Sequence, residues 1–265
     1  MSALSALLPC ATVIVTILWL RQSGVLAATA SATVACILWA SSVFAPPEPN
    51  HFENALVDSL ILQILVAAII LPGLIFVEIS RRVGTTEVVG EIINDLHLNP
   101  ALTAIMIATG FGVLIESLTG FGVSLLLTVP LLTVHFKKNQ TIGLALVGMC
   151  LMPWGALGVA AHLGAELAET PLLQLSYMIW KVSGPIALIL PVLCLIFIPN
   201  RSFADLISAL CAGLLLSGGI GIGTYLVGIE IAGALGGILV IFLIAQRASS
   251  LPRLMRIFTK KNLTP

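Results

Sequence analysis

Charge is scarce in this chain. Of 265 residues, 9% are Asp, Glu, Lys or Arg, against about 25% in an ordinary globular domain. The two signs cancel to a net charge of zero, so there is no general basic field to attract nucleic acid. The five cysteines (Cys10, Cys36, Cys150, Cys194 and Cys211) form no C-x-x-C pair. That leaves neither a zinc site nor a redox motif, and each cysteine reads as a small buried hydrophobe. No His/Asp/Ser or metal constellation falls inside the apolar runs, so no enzyme and no cofactor is expected. What fills the chain instead is apolar: 58% of it is hydrophobic. Runs of roughly 20 such residues are the mark of transmembrane helices, and they tile the sequence almost end to end. The expected fold is therefore all-α, a polytopic integral membrane protein whose first partner is the lipid bilayer.

Seven spans and one hairpin fit the hydropathy pattern. The spans are expected at about 3–20, 24–44, 55–77, 141–162, 172–198, 203–225 and 228–245. The first Lys or Arg is Arg21, after the first apolar run, so the N-terminus lacks the basic start of a signal peptide and reads as a retained span. A Pro-rich acidic loop is expected at 45–53. Between Gly84 and Asn99, Val88, Val89, Ile92, Ile93 and Leu96 recur at helical spacing with Glu87, Glu91 and Asp95 between them. That pattern predicts an amphipathic helix on the membrane surface or packed across the bundle. The stretch 100–134 is apolar but broken at 119–122. Its second arm has roughly 12 residues, short of the 17–25 or so that a crossing needs. A helical hairpin entering and leaving on one side is the natural reading. Residues 1–246 are thus expected to form a transmembrane domain, and 247–265 a basic tail.

The cations support this layout. With the hairpin returning to its own side, Arg21, Arg81, Arg82, Lys137, Lys138, Arg201, Arg247, Arg253, Arg256, Lys260 and Lys261 share one side. The opposite loops carry Glu48, Glu53, Glu166 and Glu169. By the positive-inside rule the N-terminus is outside and the C-terminus cytoplasmic. A re-entrant hairpin and two full crossings give the same parity.

Glu116 is the first candidate for function. It lies in the apolar run Gly112-Val-Leu-Ile-Glu-Ser-Leu-Thr-Gly-Phe-Gly122, and an ionisable residue at membrane depth is a functional hypothesis by default. Removal from water favours the neutral form of a carboxyl group, which suits a proton carrier; the alternative is a structural glutamate tying the hairpin arms together. Thr119, Gly120, Phe121 and Gly122 form the hairpin tip. Glycine there allows close approach of backbone to a ligand, and helix ends present unpaired N–H groups to an anion. The bland reading is a tight turn. In Met152-Pro-Trp-Gly-Ala-Leu-Gly158, Pro153 removes a backbone donor and Gly155 loosens the helix. The freed carbonyls then need protein or a wet cavity, and Trp154 is placed to line it; a packing kink is the plain alternative. Lys181, within a span, either pairs with Glu116, attracts an anion, or snorkels to the interface. Asp58 reads as solvated, and His162 with Glu166 as a surface pair. Ser217-Gly-Gly-Ile-Gly-Ile-Gly223 follows no strand and reads as close helix packing, not a dinucleotide site.

Taken together, these motifs resemble the lactate permease family of bacterial secondary transporters, specifically its N-terminal half. The strongest match is Phe111 to Gly122, where the family reads approximately F-G-A-F-L-E-G-A-A-G-F-G; Phe111, Gly112, Glu116, Gly120, Phe121 and Gly122 keep register. Pro153 to Gly158 looks like a shortened P-V-A-F-G-A-x-G region, and the Lys181 segment is similar to one with arginine before a proline. The resemblance implies uptake of lactate, glycolate or a related 2-hydroxy monocarboxylate, probably with a proton, across the bacterial inner membrane. It also implies one half of an inverted-repeat fold, and hence a homo-oligomer or a partner half-transporter. Ser117 and Thr119 replace small residues of the motif. Two other readings stand beside this one. The first is a truncated, transport-inactive subunit; the second is a permease for another small organic or sulfur-containing anion.

Overall fold

A computed structural model describes residues 5–41 and 51–248. The Pro-rich loop and the basic tail lie largely outside them. Every regular element among the described residues is helical, as the composition predicts. The chain divides into two compact units, 1–63 and 64–265.

In the first unit, α1 (Leu8–Ile14) runs on as a π-helical turn, Val15–Trp19. A turn with Arg21 at φ 51° leads to α2 (Gly24–Ala40). Ser23 caps α2 through its hydroxyl, which accepts from the Leu26 N–H, and Ser31 Oγ donates to the Pro9 carbonyl at 2.9 Å to join the two helices. α3 (His51–Arg82) starts here and continues into the second unit.

The second unit holds the rest of α3, which ends with Glu78 ion-paired to Arg82 at 2.8 Å. Gly84 reverses the chain at φ 71°, and α4 (Thr85–Asp95) follows. α4 is the amphipathic helix expected. It buries Gly90 and Ile93, leaves Glu87 and Glu91 exposed, and rests on Leu131. A helix–turn–helix occupies the stretch where the hairpin is expected. Its first arm is α5 (Pro100–Ile105), a π-helical segment (Met106–Phe111) and α6 (Gly112–Thr119). Its second arm, α7 (Leu125–His135), packs back on the π segment. Then come α8 (Lys138–Gly148), two 3-10 turns (Met149–Trp154 and Ala156–Gly158), α9 (Val159–Leu167), α10 (Leu172–Cys194), α11 (Phe203–Leu226) and α12 (Ile229–Arg247).

Among the described residues, six helical stretches are long and apolar enough to cross a membrane. Five coincide with expected spans; the sixth is the first hairpin arm, Pro100–Thr119. Among the described residues, the apolar helices Leu8–Trp19 and Gly24–Ala40 are shorter, and Arg21 at φ 51° separates them. By length and composition the first arm of the hairpin qualifies as a span, which the seven expected spans did not include. That arm is also the centre of the unit, with 78% of its most apolar window buried against at most 44% for the other five. α12 lies along it through small residues. A Cβ on Gly237 would stand 2.8 Å from the Gly110 carbonyl. Two glycines of α11 serve close packing, Gly223 against Ala232 and Gly219 against Gly236, while Gly218 faces open space.

Candidate functional site

Two interruptions of the helical backbone meet in the second unit. The first is the hairpin tip, where Gly120, Phe121 and Gly122 have φ of 67°, 52° and 78°. The second interrupts the stretch 138–167. There Pro153 breaks the ladder, and Ala156, Leu157 and Gly158 have φ of 53°, 53° and 72°. Each is a run of three left-handed residues, a conformation that non-glycine residues rarely adopt and that persists only where the surroundings impose it. The two runs touch. A Cβ on Gly120 would lie 2.6 Å from the Ala156 nitrogen and 2.7 Å from its Cα, so Gly120 lets one turn lie flush on the other.

Glu116 sits beneath this contact, 3% exposed. Its backbone carbonyl accepts from the Gly120 N–H at 2.7 Å, which closes α6. Its carboxylate reaches across the tip: Oε2 accepts from the Ser124 hydroxyl at 2.6 Å and Oε1 from the Gly122 N–H at 3.1 Å. From the other interruption Gly155 presses on the same group; a Cβ there would be 3.2 Å from Glu116 Oε1. Glu116, Gly120, Gly122 and Gly155 therefore form one cluster.

A cavity lies on each side of the contact, and both fall in the range of ligand pockets, about 300–1,000 Å³. One, of about 770 Å³, is lined by Phe121, Pro153, Gly155, Ala156, Met178 and Ser183 among others. The second, of about 600 Å³, is lined by Gly73, Phe111, Leu118, Thr119 and Leu157 among others. Thr119 and Phe121, flanking Gly120, thus face different cavities. The Thr119 hydroxyl donates to the Ile115 carbonyl at 2.7 Å.

Several sequence expectations place differently. Lys181 lines neither cavity. It is exposed, with its ammonium 4.6 Å from the centre of the Tyr177 ring, and among the described residues it forms no ion pair with Glu116. Trp154 does not line the cavity. It is buried behind it, where its indole N–H donates to Ser183 Oγ at 3.0 Å. His162 pairs not with Glu166 but with Glu230 at 2.9 Å, because the turn at Gly228 brings the start of α12 beside α9. Ser124 escaped sequence reasoning. Its one signal is a hydroxyl two residues past Gly-Phe-Gly in an otherwise apolar arm. Ser117 Oγ is buried without a hydrogen-bond partner, against the position of Gly233.

A sequence model of the L-lactate permease family matches residues 2–261. The chain belongs to the L-lactate permease family. No curated protein and no solved structure matches it. An L-lactate permease is a membrane transporter and not an enzyme, so this member is a multi-pass membrane protein that works in a bilayer on a small-molecule substrate. For a permease, an interrupted pair of helices meeting over a buried carboxylate is the part of the molecule to examine first, since non-helical backbone at membrane depth is tolerated where it lines a cavity.

Proposed function

We propose that this permease carries a small 2-hydroxy monocarboxylate, lactate or glycolate, together with a proton across the bacterial inner membrane. The observation that carries this reading is Glu116: a carboxyl group 3% exposed, held at the meeting of two helix interruptions and against the wall of a cavity. Discontinuous helices bind substrate and coupling ion in many secondary transporters. In this reading Phe121 and Gly122 of the tip and the facing Pro153 and Gly155 surround the substrate, while Gly120 holds the two turns together and Thr119 lines the smaller cavity on the other side. Glu116 carries the proton. Lys181 acts at longer range, as a charge that draws anions toward α10. The distribution of Lys and Arg supports an outside N-terminus and a cytoplasmic C-terminus. The cavity walls include exposed apolar side chains, Phe121 and Met152 among them, which a second copy or a partner half-transporter would cover.

Uptake of labelled lactate and glycolate into membrane vesicles tests this. Uptake is expected to follow an imposed pH gradient, and Glu116→Gln is expected to abolish that dependence. Proton-coupled uptake by Glu116→Gln equal to that of the parent would remove Glu116 from the mechanism.

A further inference from the structure

The hairpin tip already holds a carboxylate, and it is the protein's own. The Ser124 hydroxyl at 2.6 Å and the Gly122 N–H at 3.1 Å are the donors a bound monocarboxylate would need, and Glu116 occupies both. Hydrogen bonds to an ionised acceptor are about twice as strong as neutral ones, so a substrate carboxylate must compete with Glu116 for them. The competition is local. Gly155 lines the larger cavity, and a Cβ on it would stand 3.2 Å from Glu116 Oε1, so the carboxylate lies just behind the cavity wall. Phe121, next to Gly122, lines the same cavity. Met149 closes the group from the other side, with its sulfur 3.8 Å from Ser124 Oγ.

We infer that Glu116 and the substrate carboxylate take turns on the same two donors, Ser124 Oγ–H and Gly122 N–H. The side chain of Glu116 is an internal stand-in for the substrate. A proton from water adds to the Glu116 carboxylate, the neutral acid gives up the two donors, and a substrate oxygen accepts from them. On the other side of the membrane the proton leaves, the anion reclaims the donors, and the substrate departs. Each carboxylate bound therefore takes up one proton. Ser124 is a binding residue that no sequence motif pointed to. The inference rests on the transport reading above.

Other titratable groups on the elements around α6 have partners or positions of their own. Glu78, Arg81 and Arg82 on α3 pair together. Cys150 is exposed and donates to the Leu146 carbonyl. On α12, Glu230 pairs with His162 and Arg247 donates to Ser208. Lys138 is exposed at the start of α8, and His135 stands at the far end of α7 from the tip. None of them bonds to the Glu116 carboxylate.

The test is calorimetric titration of L-lactate into the purified full chain in lipid nanodiscs, across pH 5 to 8 and in buffers of different ionisation enthalpy. Affinity is expected to rise as pH falls, with about one proton taken up per lactate. Glu116→Gln should bind with an affinity that no longer changes with pH. In the Glu116→Gln background, where no anion competes for the hydroxyl, a further Ser124→Ala should weaken binding about tenfold or more, the worth of a hydrogen bond to a charged group, and Ser124→Thr, which keeps the hydroxyl, should largely restore it. Lactate binding without proton uptake would overturn the competition while leaving transport standing, as would a pH-dependent Glu116→Gln or a Ser124→Ala that changes nothing in the Glu116→Gln background. If Ser124→Ala does not fold, the proton count on the parent chain decides alone. If the parent neither binds nor transports any monocarboxylate, the transport reading falls as well.

Discussion

Replacing Gly120 with alanine should damage this protein far more than one methyl group suggests. Gly120 adopts φ 67°, ψ −176°, a region open essentially to glycine alone and worth about 1–3 kcal/mol of strain for any other residue. The added Cβ would also stand 2.6 Å from the Ala156 nitrogen and 2.7 Å from its Cα. Both are backbone atoms of a turn that is itself left-handed, so no side chain can rotate away. Overpacking of this kind costs about 1–3 kcal/mol, and the sum is about 2–6 kcal/mol. At roughly 2–4 °C per kcal/mol for a chain of this size, the melting temperature should fall by about 10 °C. Thermal unfolding of the purified variant in detergent, beside Gly218→Ala, measures this. Gly218 lies inside α11 with nothing within 4 Å of a Cβ, and alanine there should be neutral or add up to about 1 kcal/mol through helix propensity. A Gly120→Ala protein that melts within 2 °C or so of the parent would refute the claim that the two interruptions are pressed together at this point.

Gly155→Ala should separate stability from function. At φ −81°, ψ 165° the backbone accepts alanine, and the new Cβ would meet Met152 O at 3.1 Å and Glu116 O and Oε1 at 3.2 Å. The fold should hold, with a melting temperature near the parent's, while lactate uptake falls because the Glu116 carboxylate is displaced; unchanged uptake kinetics would show that the carboxylate does not act at this wall. Trp154→Phe removes the indole N–H that donates to Ser183 Oγ at 3.0 Å in a fully buried site. A loss of about 1–3 kcal/mol is expected from the hydrogen bond and the volume together. A double-mutant cycle with Ser183→Ala should find about 1 kcal/mol of coupling, and zero coupling would mean the bond contributes nothing.

The candidate site was partly legible in the sequence. Glu116 and Gly120 to Gly122 stood out because a charge and paired glycines are rare in apolar runs, and Pro153 with Gly155 because a helix there must break. Lys181 drew notice for the same reason as Glu116, but a long side chain on a helix surface can reach an aromatic face or the interface, and here it lies over Tyr177. Ser124 carried almost no signal, since its role depends on a turn that brings it back to a residue eight positions earlier. His162 was matched to the wrong carboxylate for a related reason: one-turn spacing within a helix is visible in sequence, whereas a neighbour 68 residues away is not.

Composition and hydropathy by themselves determined that this is a helical membrane protein. With so few charges, only helices that satisfy their own backbone can bury runs of this length in lipid. The motif around Glu116 was enough to point to the lactate permease family. Tertiary structure alone decided that the two interruptions meet, that Gly120 rests on Ala156, and that Glu116 reaches Ser124 and Gly122 while Gly155 leaves it against a cavity. Local periodicity sets which residues share a helix face. Which break lies against which break depends on how non-adjacent helices pack, and that information is held in no single stretch of the chain.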